Sequence, residues 1–120
     1  MPNRAIPVPR SALRLLSIEV DEPALASAMT ADARLAAGSL AAARIGQIDG
    51  RLLERLQPDL VLAPLLGEGF DILDVAQALT AAGYTGRLLV ICPKLPNPRG
   101  VQAELRGHCK GFSVELLQLG

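Results

Sequence analysis

Apolar runs and amphipathic stretches alternate along this chain of 120 residues. Residues 13–20 (LRLLSIEV) read as a strand that ends at Asp21-Glu22-Pro23. Pro23 suits the first turn of a helix, where its missing N–H has no intrahelical partner. From Ala24 to about Ala37 the chain is Ala-rich, with Leu25, Met29 and Leu35 on roughly one face, and a helix is expected. Residues 40–46 fit a short edge strand, although alanine is a poor strand former. Residues 50–57 (GRLLERLQ) carry Leu52, Leu53 and Leu56 at helical spacing, and Pro58 stops that helix.

The second half of the pattern is plainer. Residues 59–66 (DLVLAPLL) and 87–92 (RLLVIC) are nearly continuous apolar runs, as expected of strands buried on both faces. Between them, Gly67-Glu68-Gly69 is a loop. Residues 71–82 form an amphipathic helix with Ile72, Val75, Ala76 and Leu79 turned inward and Asp71 as its expected cap. Residues 93–98 (PKLPNP) are a stiff loop, 99–109 a short helix ended by Gly111, and 112–119 a last strand. Strands that alternate with helices predict a single-domain α/β fold, a five-stranded parallel sheet with helices on both faces. The Pro-punctuated start, residues 1–12, is set apart as an extended tail, leaving 13–120 as the domain.

Composition narrows the chemistry more than it suggests any. Twelve basic and twelve acidic residues cancel, so no global field draws in nucleic acid or an anionic membrane. One Tyr, two Phe and no Trp leave little for base stacking. Half the residues are hydrophobic, which excludes a disordered chain. No apolar run approaches the length of a membrane span. The two cysteines, Cys92 and Cys109, and the one histidine, His108, match no metal-finger spacing. The start carries no secretory pattern, so a cytoplasmic location with reduced thiols is expected. Ten arginines against two lysines, among many alanines, suggest a bacterial source with a GC-rich genome.

Residues 58–93 (PDLVLAPLLGEGFDILDVAQALTAAGYTGRLLVICP) resemble the middle of response-regulator receiver domains, a family with the flavodoxin-like fold. VDEP at residues 20–23 is similar to the acidic segment that follows the family's first strand. Carried over by position, the resemblance puts Pro64 where the family has its phosphoryl-accepting aspartate. It puts Val20 and Asp21 at the acidic pair and Cys92 at the Ser or Thr that closes the fourth strand. No lysine stands in the last strand. The resemblance therefore implies a degenerate receiver, a pseudo-receiver with neither acceptor nor magnesium site. It would bind no cofactor or metal and act through protein contacts without enzymatic chemistry. The alternative is a small ligand-binding or enzymatic domain that uses a crevice near Asp21, Glu22, Pro64, Cys92 and Lys94 at the carboxyl ends of the strands.

Several single features have bland counterparts. Asp21 and Glu22 suit a helix N-terminus. Cys92 on an apolar strand suits an inert thiol, and His108 suits a helix C-terminus. GEGFD at residues 67–71 lacks phosphate-loop spacing. The family's last helix would follow the last strand, and only Gly120 follows Leu119. A helix-sized apolar stripe would then lie bare beside that strand, and a homodimer or a protein partner covering it is expected.

Overall fold

The computed structural model describes residues 13–119. Five strands, β1 (Arg14–Ile18), β2 (Ser39–Ala43), β3 (Leu60–Pro64), β4 (Arg87–Pro93) and β5 (Ser113–Leu119), form one sheet in the order β2-β1-β3-β4-β5. Every neighbouring pair is parallel. The crossovers are made by α1 (Glu22–Ala31), α2 (Ala33–Ala36), α3 (Gly50–Leu56), α4 (Ile72–Ala81) and α5 (Pro98–His108), with a 3-10 turn at Ile45–Gln47. The order places β1 and β3 at the centre, where the direction of winding reverses.

Side-chain alternation divides the core in two. On the first face Leu16, Ile18, Val61, Ala63, Leu88 and Val90 pack under α3, α4 and α5. Leu53, Val75, Leu79 and Leu105 come down from those helices. On the second face Leu15, Leu60, Leu62, Leu89 and Ile91 pack under α1 and α2, which supply Ala28 and Leu35. The doubly apolar runs of β3 and β4 thus serve both faces at once, as expected of central parallel strands.

The amino ends of the strands are tied by polar groups that the apolar pattern did not single out. Asp59 accepts from the N–H of Arg14 at 2.8 Å through its carboxylate, and its own N–H donates to the Arg14 carbonyl at 2.8 Å. Tyr84, buried and tilted against Phe112 with ring centroids 5.4 Å apart, donates its hydroxyl to the Arg87 carbonyl at 2.6 Å. The same oxygen accepts from the Arg87 N–H at 2.9 Å. A Cβ at Gly86 would collide with that hydroxyl, so the turn into β4 needs a residue without one.

Three expectations change. The helix expected over residues 24–37 is two helices, because Asp32 is extended (φ −131°, ψ 108°) and its carboxylate accepts from the Arg34 N–H, restarting the chain as a cap. The strand expected over 13–20 stops at Ile18, because Glu19 adopts a left-handed φ of 51° and turns the backbone out of the sheet. The stripe expected to lie bare beside β5 is largely occupied. The α1 helix contacts β5, and Arg34 of α2 reaches Glu115 of β5 at 3.3 Å. Leu117 and Leu119 are half-buried, and the large apolar side chain exposed on the second face is Leu40 of the β2 edge. Among the described residues, no helix is long and apolar enough to cross a membrane. The tail, residues 1–12, lies outside the described residues.

Candidate functional site

Ligands of open parallel sheets bind outside the carboxyl ends of the strands, beside the point where the winding reverses. Here that place is built from the ends of β1, β3 and β4. Pro64 closes β3, half-buried, with Ile91 as its partner on β4. The β1–β3 pairing ends at Ser17↔Leu62, and Glu19 is the first residue after β1, where the chain leaves the sheet. The acidic side chain at the end of β1 is therefore Glu19, which the sequence reading passed over. Its N–H donates to the Ala43 carbonyl at 3.2 Å, and its carboxylate accepts from the Ile45 N–H at 2.9 Å. Glu19 works as a clamp between β1 and the segment after β2. Its left-handed backbone is uncommon outside Gly, Asn and Asp, which is why the apolar pattern alone did not reveal it.

Asp21 caps α1, accepting from the Ala24 N–H at 2.8 Å. Glu22 is exposed in the first turn, and Pro23 sits beside it as the capped start predicts. Both carboxylates have the environment of a helix start. Cys92 is buried on β4, with its thiol 3.8 Å from the Leu117 carbonyl. Burial pushes that thiol up from its ordinary range, so at neutral pH it holds less thiolate than a free cysteine. Alternation turns Cys92 to the first face with Leu88 and Val90, whereas Pro64 goes with Leu60 and Leu62 to the second. Cys92 and Pro64 thus do not share one face of the sheet. Lys94 is exposed in the loop beyond β4, which is held by the Leu95 N–H donating to the Gln118 side chain at 2.9 Å.

Beyond β3 the glycine loop has a defined shape. Leu66 and Asp71 form an antiparallel bridge, the Gly67 N–H donates to the Phe70 carbonyl at 2.9 Å, and the Phe70 ring lies against Gly67. Asp71 then caps α4, accepting from the N–H groups of Leu73 and Asp74, while Asp74 accepts from the Asp71 N–H. At the far end of α5, His108 is exposed in the last turn and Cys109 is buried, its thiol also pushed up by burial. Among the described residues, His, Cys, Asp and Glu side chains do not gather in a group of three able to hold a metal ion.

A five-stranded parallel sheet in this order, wound with helices on both faces, is the flavodoxin-like fold of receiver domains. Among solved structures, the chain is similar to the signal receiver domain of the response regulator NarL from Mycobacterium tuberculosis, with a TM-score of 0.58 and 16% identity. The match covers 88% of this chain and 83% of that one, and at this identity the likeness establishes the fold. No protein-family model matches the chain, and no curated protein does.

Proposed function

We propose that this chain is a receiver-like regulatory module that works through protein contacts and not through phosphoryl transfer. The observation that carries the reading is Pro64 at the end of β3. In receiver domains, as the sequence resemblance implies, that position holds the aspartate that accepts the phosphoryl group. Proline offers no carboxylate for an acyl phosphate. The neighbouring carboxylates support the same reading. Glu19 is engaged by the Ile45 N–H and Asp21 by the Ala24 N–H, whereas a hard divalent cation asks for several oxygens converging on one point.

What remains at this end of the sheet is suited to recognition: a shaped loop over residues 66–71 and a proline-stiffened loop over 93–98. A bacterial signalling chain that has kept the scaffold can still present such loops to a partner or a second copy without any change of phosphorylation state. The test is incubation with acetyl phosphate and Mg²⁺, followed by intact-mass measurement. We expect no added phosphoryl group. A stoichiometric adduct that survives acid, is lost in base and maps to Glu19 or Asp21 would overturn the reading.

A further inference from the structure

Among the described residues two large apolar side chains are exposed, Leu40 at 43% and Leu66 at 76%. They lie at opposite ends of the parallel sheet. Leu40 is the second residue of β2, and Leu66 follows the carboxyl end of β3. Leu40 lines an open cleft of about 370 Å³ together with Leu15, Leu56, Pro58 and the two arginines Arg14 and Arg55. The ion pairs of the described residues involve only Arg34, Asp32 and Glu115, so both cleft guanidinium groups stand outside any ion pair there, while the nearby Asp59 carboxylate is engaged by the Arg14 N–H at 2.8 Å. Residues 1–12, which lead into Leu13 at this corner, contain no Asp or Glu that would pair with them. Apolar walls set beside two cations match a segment that carries an apolar side chain next to a carboxylate.

The chain carries such a segment at its other end. Leu66 opens a loop held by its bridge to Asp71 and by the Gly67 N–H on the Phe70 carbonyl. Two residues on, Glu68 is exposed and is in no ion pair among the described residues. Asp71 and Asp74 are engaged in the cap of α4 but still add negative charge beside it. Because the loop is already shaped, presenting Leu66 and Glu68 together costs little additional ordering.

We propose that these are the two halves of one contact, in which the loop of one copy places Leu66 in the Arg14–Arg55 cleft of the next and Glu68 faces the guanidinium groups. The halves lie at opposite ends of the sheet, so each copy engaged by its loop still offers its cleft. The contact is heterologous, and copies add head to tail into chains or rings instead of closing as a two-fold dimer. Neither half includes Pro64, Glu19 or Asp21, so the assembly stands apart from the phosphoryl question above.

The test is light scattering over a concentration series at low and at high salt, with the full chain. Wild type is expected to rise continuously in average mass at low salt and to fall back toward the monomer at high salt, where exposed charges are screened. Arg55→Glu and Glu68→Lys, both at exposed positions, are each expected to stay monomeric with an unchanged circular dichroism spectrum. An equimolar mixture of the two is expected to regain mass, because the unaltered loop of the Arg55→Glu copy meets the unaltered cleft of the Glu68→Lys copy and the two reversed halves face each other. Leu66→Ser is expected to stay monomeric alone and in any mixture with itself. Three results overturn the proposal: a wild type that stays monomeric at low salt up to high concentration, a mass that levels at two monomers and ignores both charge reversals, or a mixture that assembles no better than its components.

Discussion

The two faces of the sheet use the same strands and are covered in different ways. Three helices cover the first face, each bringing at least one buried leucine, and Tyr84 and Phe112 close its amino end. One ten-residue helix and one four-residue helix cover the second. The short helix is tied down at its polar end by Arg34, which holds Asp32 at 2.7 Å and Glu115 at 3.3 Å. Both faces bury their central strand residues fully; Leu88 on one and Leu60 on the other are sealed from solvent. The difference lies in the cover. A helix of four residues is far below the length that is stable by itself, so α2 depends on Leu35 and the ion pairs for its place. The first face is held by three packed helices, and the short helix on the second chiefly by its one buried leucine, with the ion pairs at the rim.

The largest effect expected from this contrast comes from cavities. Leu79→Ala on α4 and Leu35→Ala on α2 both delete a fully buried side chain, and such changes cost roughly 2–5 kcal/mol depending on how far the site collapses. Leu79 stands under a helix fixed by two caps and by its neighbours, so its cavity persists and the loss falls toward the upper end. At Leu35 the short helix settles inward and the loss falls toward the lower end. Urea melts of the two variants measure this, and equal losses would remove the distinction between the faces.

Next in size is the closure at the amino end of the first face. Tyr84→Phe removes the hydroxyl from the Arg87 N–H and carbonyl, the N–H keeping the Asp59 carbonyl at 3.3 Å, and is expected to cost about 1–2 kcal/mol. Burial raises the Tyr84 phenol above its ordinary 10.0, and it raises the Cys92 and Cys109 thiols above 9.0. In each case the folded state keeps its proton when the unfolded chain has lost it, so the unfolded state gains as pH rises. Stability is therefore expected to decline above about pH 9, through the thiols first and the phenol next. Cys92→Ala combined with Cys109→Ala should leave only the decline above about pH 10, read from denaturation midpoints against pH.

The smallest effect tests the rim of the second face. Arg34 lowers the Asp32 carboxyl below its ordinary 3.8, chiefly through their side-chain hydrogen bonds. That stabilisation is present above the unfolded value and is lost as pH falls through the folded one. The pair is partly exposed, so Arg34→Ala is expected to cost less than about 1 kcal/mol. The variant should also show a flatter acid limb than wild type in the same titration. A loss comparable to Leu35→Ala would mean that the ion pairs, and not the buried leucine, hold α2.

Much of this architecture is legible along the chain because the terms that specify it are local. The apolar runs 59–66 and 87–92 can bury both sides only as central strands, and β3 and β4 lie there. The spacing of Ile72, Val75, Ala76 and Leu79 makes one inward helix face at α4, with Asp71 at its start. Pro23 after Asp21 marks the beginning of α1. These readings need no knowledge of what lies across the sheet, since periodicity and chain stiffness act over a few residues.

The rest depends on partners far away in sequence. Glu19 takes a left-handed turn because the Ala43 carbonyl and Ile45 N–H wait for it, more than twenty residues further on. The α1 helix lies against β5 and Arg34 of α2 reaches Glu115, and the exposed apolar position is Leu40 at the opposite edge. The Cys92 thiol is pushed up because β4 lies inside a packed sheet, where a buried charge is costly, and not because of the residues beside it in the chain. Residue order alone determined the central strands, the α4 helix, the start of α1 and that proline stands at the end of β3. Strand register, helix cover and burial, which join residues dozens of positions apart, decided which carboxylates are engaged, which thiol is quiet and which leucines face solvent.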